Sequence, residues 1–181
     1  MSRLGDADRS ALLALARRAL HAAVHRGPAP AAAGPPVFDR RAGAFVTLRL
    51  ADALRGCIGI VEPQRLGDVV VHCAGAAAID DPRFPRVVEL QVHHVRIEVS
   101  VLTPLAPLPD PVALEVGRHG LVVADGHRRG LLLPQVATEW GWSREELLAQ
   151  TCRKAGLPPD AWRRGAQLFT FEAEIFGEPH A

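Results

Sequence analysis

Residues 44–62 read AFVTLRLADALRGCIGIVE. From Ala44 to Leu50 the side chains alternate, with Val46, Leu48 and Leu50 on one face and Phe45, Thr47 and Arg49 on the other. A period of two is the pattern of a strand with one buried face. A short turn leads into a second strand from about Arg55 to Glu62. Pro63 is then expected to open a helix whose apolar stripe is Leu66, Val69, Val70, Cys73 and Ala77. Asp80-Asp81-Pro82 ends it, because a residue preceding proline is pushed out of the helical region. From His94 to Leu102 the alternation returns, with Val95, Ile97, Val99 and Val101 inward and Arg96, Glu98 and Ser100 outward. The order is strand, turn, strand, helix, strand.

The second half repeats that order. Leu121 to Ala124 predicts a strand, Asp125-Gly126 a hairpin turn and Arg129 to Leu133 its partner. Ser143 with Glu146 forms a capping box for a helix ending near Gly156, and Pro158-Pro159 blocks its continuation. Gln167 to Phe176 predicts one final strand. Small echoes link the halves: Arg55-Gly56 with Arg129-Gly130, Pro63-Gln64 with Pro134-Gln135, and Cys73 with Cys152. Ahead of both halves, Asp6 or Asp8 can cap a helix running to about Arg26, with Gly27 as its stop. Residues 27–36, a proline-alanine connector, join this helix (1–26) to the remainder (37–181). The expected fold is α+β, two β-β-α-β-like repeats around a mostly antiparallel sheet with flanking helices.

A chain of 181 residues with 48% hydrophobic content can bury one substantial core. Its formal charge is +1, and no basic stripe with interleaved aromatics is present, so nucleic-acid binding is not expected. Lys154 is the only lysine, so the arginine pairs reflect composition and are expected to be solvated surface. Three cysteines without C-x-x-C spacing argue against a disulfide framework and a structural zinc site. Charges at Asp6, Asp8, Arg9, Arg17 and Arg18 interrupt any signal-peptide core, and no apolar run approaches the ~20 residues of a membrane span. The expected setting is cytoplasmic, without membrane association, and no cofactor is expected.

Several strings resemble, in order, the AMMECR domain family of the AmmeMemoRadiSam system protein A type. They are Phe45-Val46-Thr47-Leu48, the hexapeptide Leu54-Arg55-Gly56-Cys57-Ile58-Gly59, Asp81-Pro82-Arg83-Phe84-Pro85 and Ile97-Glu98-Val99-Ser100-Val101-Leu102. Leu132-Leu133-Pro134-Gln135-Val136 and Lys154-Ala155-Gly156-Leu157-Pro158 continue the match, which spans about residues 8–178. The resemblance implies a two-repeat α+β fold with a barrel-like curved sheet. It also implies partnership with a Memo-type protein and a radical-SAM protein, and it carries over no catalytic assignment.

The hexapeptide is the candidate site. Along a strand Arg55, Cys57 and Gly59 share a face, which places Arg55 beside the sulfur and leaves a gap at Gly59. A cation near a thiol lowers its pKa, which makes Cys57 a candidate nucleophile, redox centre or soft-metal ligand. The alternative is that Cys57 is a small core residue and Gly56 and Gly59 merely allow close packing. Arg83 either covers the Cys57 pocket as an anion-binding group or neutralises Asp80 or Asp81 in a rigid turn anchored by Phe84; the turn is the favoured reading. No histidine, among them His72, His93, His94, His119 and His127, has the spacing of a helical metal pair, and none is assigned as a base. Cys73 and Cys152 lie on apolar helical faces and are expected to be inert. With no base named for Cys57, the favoured function is binding: a partner segment or small molecule approaches the glycine-flanked backbone, with Arg55, Gly56, Gly59 and Arg83 as binding residues. A thiol-dependent enzyme is the alternative.

Overall fold

A computed structural model describes residues 3–179. These residues divide into two compact units, Thr103–Ala173 and the remainder of the chain.

The first unit contains α1 (Asp6–Val24), β1 (Arg41–Leu50), β2 (Ala53–Arg65), α2 (Leu66–Ile79), β3 (Val95–Leu102) and β8 (Ala173–Gly177). Its four strands lie in the order β2-β1-β3-β8, and β1 runs antiparallel to both neighbours. One face of this sheet carries Ala44, Val46, Leu48, Ile97 and Val99, which close a core with α1 and α2 through Leu12, Leu15, Leu20, Leu66 and Val69. Burying a side chain of this size contributes about 1.5–3 kcal/mol, so the alternation read in 44–50 and 94–102 is what fixes which face meets the helices.

Several boundaries differ from the sequence expectation, among them the start of β1 at Arg41 and of β2 at Ala53. Asp6 and Asp8 sit in the first turn of α1 rather than capping it, and Gly5 is the N-cap. Acidic groups there complement the helix dipole, so the charges act without a cap. Pro63 belongs to β2, and α2 starts at Leu66. An edge strand tolerates proline, and the Pro63 carbonyl accepts from Arg41 Nη2 at 2.8 Å. The turn between β1 and β2 is Ala51-Asp52, both residues in the left-handed region at φ 47° and 64°. Two such residues make the tight hairpin whose twist matches that of its strands.

The second unit contains β4 (Ala106–Pro107), β5 (Gly120–Asp125), β6 (Arg128–Leu132), α3 (Pro134–Glu139), α4 (Arg144–Lys154) and β7 (Gln167–Phe171). Its strand order is β4-β7-β5-β6, all antiparallel. Leu114, Leu121, Leu147, Leu148 and Cys152 fill its core. The capping box is present: Glu146 N–H donates to Ser143 Oγ at 3.3 Å, and Ser143 N–H donates to Glu146 Oε2 at 2.7 Å.

The α+β class and the strand-strand-helix-strand order hold in both units. The single barrel-like sheet does not, because the strands form two separate four-stranded sheets. The run predicted as one strand over 167–176 is divided at Glu172 between them. Glu172 N–H donates to Thr103 Oγ1, and Thr103 N–H donates to the Glu172 carbonyl, which interrupts the ladder there. The Arg-Gly echo has a structural counterpart. A Cβ on Gly56 would stand 2.1 Å from the Ala77 carbonyl of α2, and one on Gly130 would stand 2.4 Å from the Ala155 amide at the end of α4. In each unit the second hairpin strand meets helix backbone where only glycine fits.

Candidate functional site

Cys57 lies on β2, the edge strand of the first sheet, directly opposite Thr47 of β1. Gly56 faces α2, so its neighbour Cys57 projects from the opposite face of the sheet. Its peptide groups point outward, past the edge, where no further strand supplies partners. The turn after α2 supplies them instead. Cys57 N–H donates to Asp81 Oδ2 at 2.9 Å, and the Cys57 carbonyl accepts from Arg83 Nη2 at 3.0 Å. Arg83 and Asp81 are joined side by side, Nε to Oδ1 at 3.0 Å and Nη2 to Oδ2 at 2.8 Å, and Arg83 N–H adds a third bond to Oδ1. The pair therefore closes the exposed edge and fixes Cys57 on both sides.

Asp81 is the buried member, with its side chain 2% exposed against 56% for Arg83. The Arg83 guanidinium holds the Asp81 carboxyl well below the usual carboxylate range; burial opposes this, and the Cys57 and Arg83 amides reinforce it. Arg83 thus neutralises Asp81, as the rigid-turn reading expects, and it also reaches the cysteine backbone. Its guanidinium lies 5.3 Å from the Phe84 ring centre, within cation-π range.

The Thr47 hydroxyl donates to Cys57 Sγ at 3.3 Å. Thr47 is also paired with Glu98 on its other side, so Cys57, Thr47 and Glu98 form one row across β2, β1 and β3. Cys57 is half-buried, whereas Cys73 and Cys152 are buried. Burial pushes the Cys73 thiol up to about 12 and raises that of Cys152, which agrees with the inert role expected of both.

Two expectations about this face are corrected. Arg55 does not serve the sulfur: its guanidinium donates to the carbonyls of Pro85 and Arg86 and to Gln91 Oε1. It ties the loop before β3 to the edge of the sheet, because the long side chain gains more from three acceptors than from a thiol. Arg55→Ala is expected to speed amide hydrogen exchange in residues 84–91 by about tenfold, the loss of ~1.4 kcal/mol of local closure. Unchanged protection in that loop would contradict this role. Gly59 leaves no gap either. The Phe45 ring lies over it, and a Cβ there would come within 2.1 Å of that ring. The opposed pair Phe45–Gly59 is an aromatic side chain covering a glycine on the neighbouring strand.

The sequence points to Asp81 only as a partner of Arg83, not of Cys57, and it does not single out Thr47 or Glu98. The alternation of 44–50 and 94–102 already places Thr47 and Glu98 on polar faces, but only strand register brings them into the row of Cys57. His93 and His94 are both exposed in the turn ahead of β3. Among the described residues no three His, Cys, Asp or Glu side chains gather as a metal site, and no helix is long and apolar enough to cross a membrane.

Comparison with known proteins places this chain in a family. The chain matches the AMMECR1 family over residues 13–176. A protein of Thermococcus onnurineus is 44% identical over 194 residues, covering 99% of this chain and 95% of its own length. One from Methanothermobacter thermautotrophicus is 49% identical over 152 residues, covering 80% and 79%. The fold is similar to the crystal structure of an uncharacterized protein from Pyrococcus horikoshii, with a TM-score of 0.90 and 40% identity over 98% of this chain and 94% of that one. On the extent of these matches, this chain belongs to the AMMECR1 family.

Proposed function

We propose that the hexapeptide is the functional site of a ligand-binding domain and that the Cys57 thiol is the group that engages the ligand. The supporting observation is the fixing of Cys57: its amide and carbonyl are held by Asp81 and Arg83 while the Thr47 hydroxyl donates to its sulfur. A donor aimed at sulfur stabilises negative charge that develops there, and a pinned backbone removes the orientational freedom a nucleophile would otherwise lose. Approach of a partner to bare backbone at the glycines has less support, because Ala77 and Phe45 occupy those spaces. The sulfur is what this face offers. The domain acts in a reducing compartment, alongside the Memo-type and radical-SAM proteins that the family resemblance implies; free Cys57, Cys73 and Cys152 fit such a compartment.

Alkylation with iodoacetamide tests the reading. Sulfur bonds to the reagent carbon, iodide leaves and the thiol proton passes to buffer. Cys57 is expected to label about tenfold faster in the folded protein at neutral pH than in denaturant, and Thr47→Val to slow folded-state labelling about fivefold, the worth of one hydrogen bond of ~1 kcal/mol. Labelling no faster than in denaturant would rule out an activated Cys57.

A further inference from the structure

A cleft of about 290 Å³ opens at the end of the first sheet where the β1–β2 turn meets the segment leading into β3. Arg49, Arg96, Asp52, Arg17 and Glu178 supply its ionised walls, and His93 and His94 also line it. Arg17 is committed: its guanidinium grips Glu178 and donates to the Val92 and Val95 carbonyls. Arg49 Nη1 donates to the Asp52 carbonyl at 3.2 Å and Arg96 Nη2 to Asp52 Oδ1 at 3.1 Å, so both braced guanidinium groups are held at the cleft. Three cations stand against two carboxylates, which leaves the wall net positive.

Cys57 is not among the residues lining this cleft, and the strand register relates the two. Arg49 pairs with Arg96 as Thr47 pairs with Glu98, two residues along β1 and β3, while on β2 a register shift puts Leu54 opposite Arg49. Rows two residues apart along a strand are separated by roughly 6.7 Å. Neighbouring strands add about 4.8 Å each, so Arg49, one strand over, lies roughly 8 Å from Cys57 along the sheet and Arg96, two strands over, roughly 12 Å. Glu98 stands in the row of Cys57 itself. The long arginine side chains bring a charged end within reach of a small organic molecule held at Sγ.

We propose that the ligand engaged by Cys57 is a small organic anion, a carboxylate or phosphate ester, whose charged end docks in the cleft walled by Arg49 and Arg96. This rests on the thiol reading above. Guanidinium is suited to both anions because its planar fork of donors matches their oxygens.

The test compares two aryl disulfides, carboxylate-bearing dithiobis(nitrobenzoate) and neutral dithiodipyridine, on the full chain. In each reaction Sγ attacks one reagent sulfur, the S–S bond breaks, Cys57 becomes a mixed disulfide and the aryl thiolate leaves with the electron pair. The anionic-to-neutral rate ratio in denaturant corrects for intrinsic reactivity. In the folded protein that ratio is expected to rise about tenfold, and Arg49→Gln or Arg96→Gln to bring it back toward the denatured value, a change worth ~1.4 kcal/mol. Raising salt from about 0.05 to 0.5 M should lower the wild-type ratio without any variant, by screening the arginines. If the neutral reagent reacts faster in the folded state but the ratio does not rise, anion docking is wrong and the thiol reading stands. Both fall if neither reagent reacts faster than in denaturant.

Discussion

Gly56→Ala is expected to destabilise the protein by more than about 3 kcal/mol, lowering its melting temperature by roughly 10 °C. The added Cβ would stand 2.1 Å from the Ala77 carbonyl and 3.0 Å from its carbon, so the obstacle is helix backbone. Neither side can retreat. Val69, Val70 and Cys73 hold α2 in the core, all at most 1% exposed, and Gly56 pairs with the fully buried Leu48. Gly59→Ala provides the contrast. Its Cβ would meet the Phe45 side chain, half-buried and able to swing aside, so a cost of about 1–2 kcal/mol is expected there. Thermal unfolding followed by circular dichroism measures both. Equal melting temperatures for the two variants would show that α2 does not press on Gly56 as described.

Asp81→Ala is expected to cost about 2–4 kcal/mol, because it strips the Cys57 amide of its acceptor at a closed sheet edge and releases Arg83. The pH dependence carries a sharper signature. The Asp81 carboxyl is held below its ordinary value of about 3.9 in the folded state, with the Arg83 guanidinium as the main cause. A group depressed on folding stabilises fully above its unfolded value and loses that contribution as pH falls through the folded one. Arg83→Gln removes the main depressing interaction and leaves burial pushing upward against the two amides, so the stabilisation shrinks. Urea unfolding should therefore show wild type above Arg83→Gln by a constant margin over about pH 5–7, narrowing below about pH 4. A margin that widened on acidification would mean that Asp81 is not the group responsible.

The candidate site was only partly legible in the sequence. Cys57 stands out because glycines flank it, and of the two readings of those glycines close packing holds while the open gap at Gly59 does not. A glycine in a strand marks a close approach without saying what approaches, and here it is the Ala77 carbonyl on one face and the Phe45 ring on the other. Arg55 shares a face with Cys57, and that spacing alone points it at the sulfur. Its reach is long enough for the loop carbonyls of Pro85 and Arg86 to win, since several oxygen acceptors hold a guanidinium better than one sulfur. The partner of Cys57 turned out to lie 24 residues away, as Asp81.

What the sequence determined by itself is the local grammar: period-two alternation for β1 and β3, an apolar stripe for α2, the capping box of α4 and the repeated order of elements in both halves. These follow from side-chain spacing over a few residues, where propensity and burial act on neighbours in the chain. The tertiary structure alone decided the strand register, the division of 167–176 between two sheets and the conversion of a turn motif into a clamp. Each depends on residues far apart in sequence meeting at hydrogen-bond distance, and an edge strand's unpaired peptide groups exist as a demand only once the sheet has formed. Cys57 became a placed thiol at that stage, when Thr47, Asp81 and Arg83 closed around it.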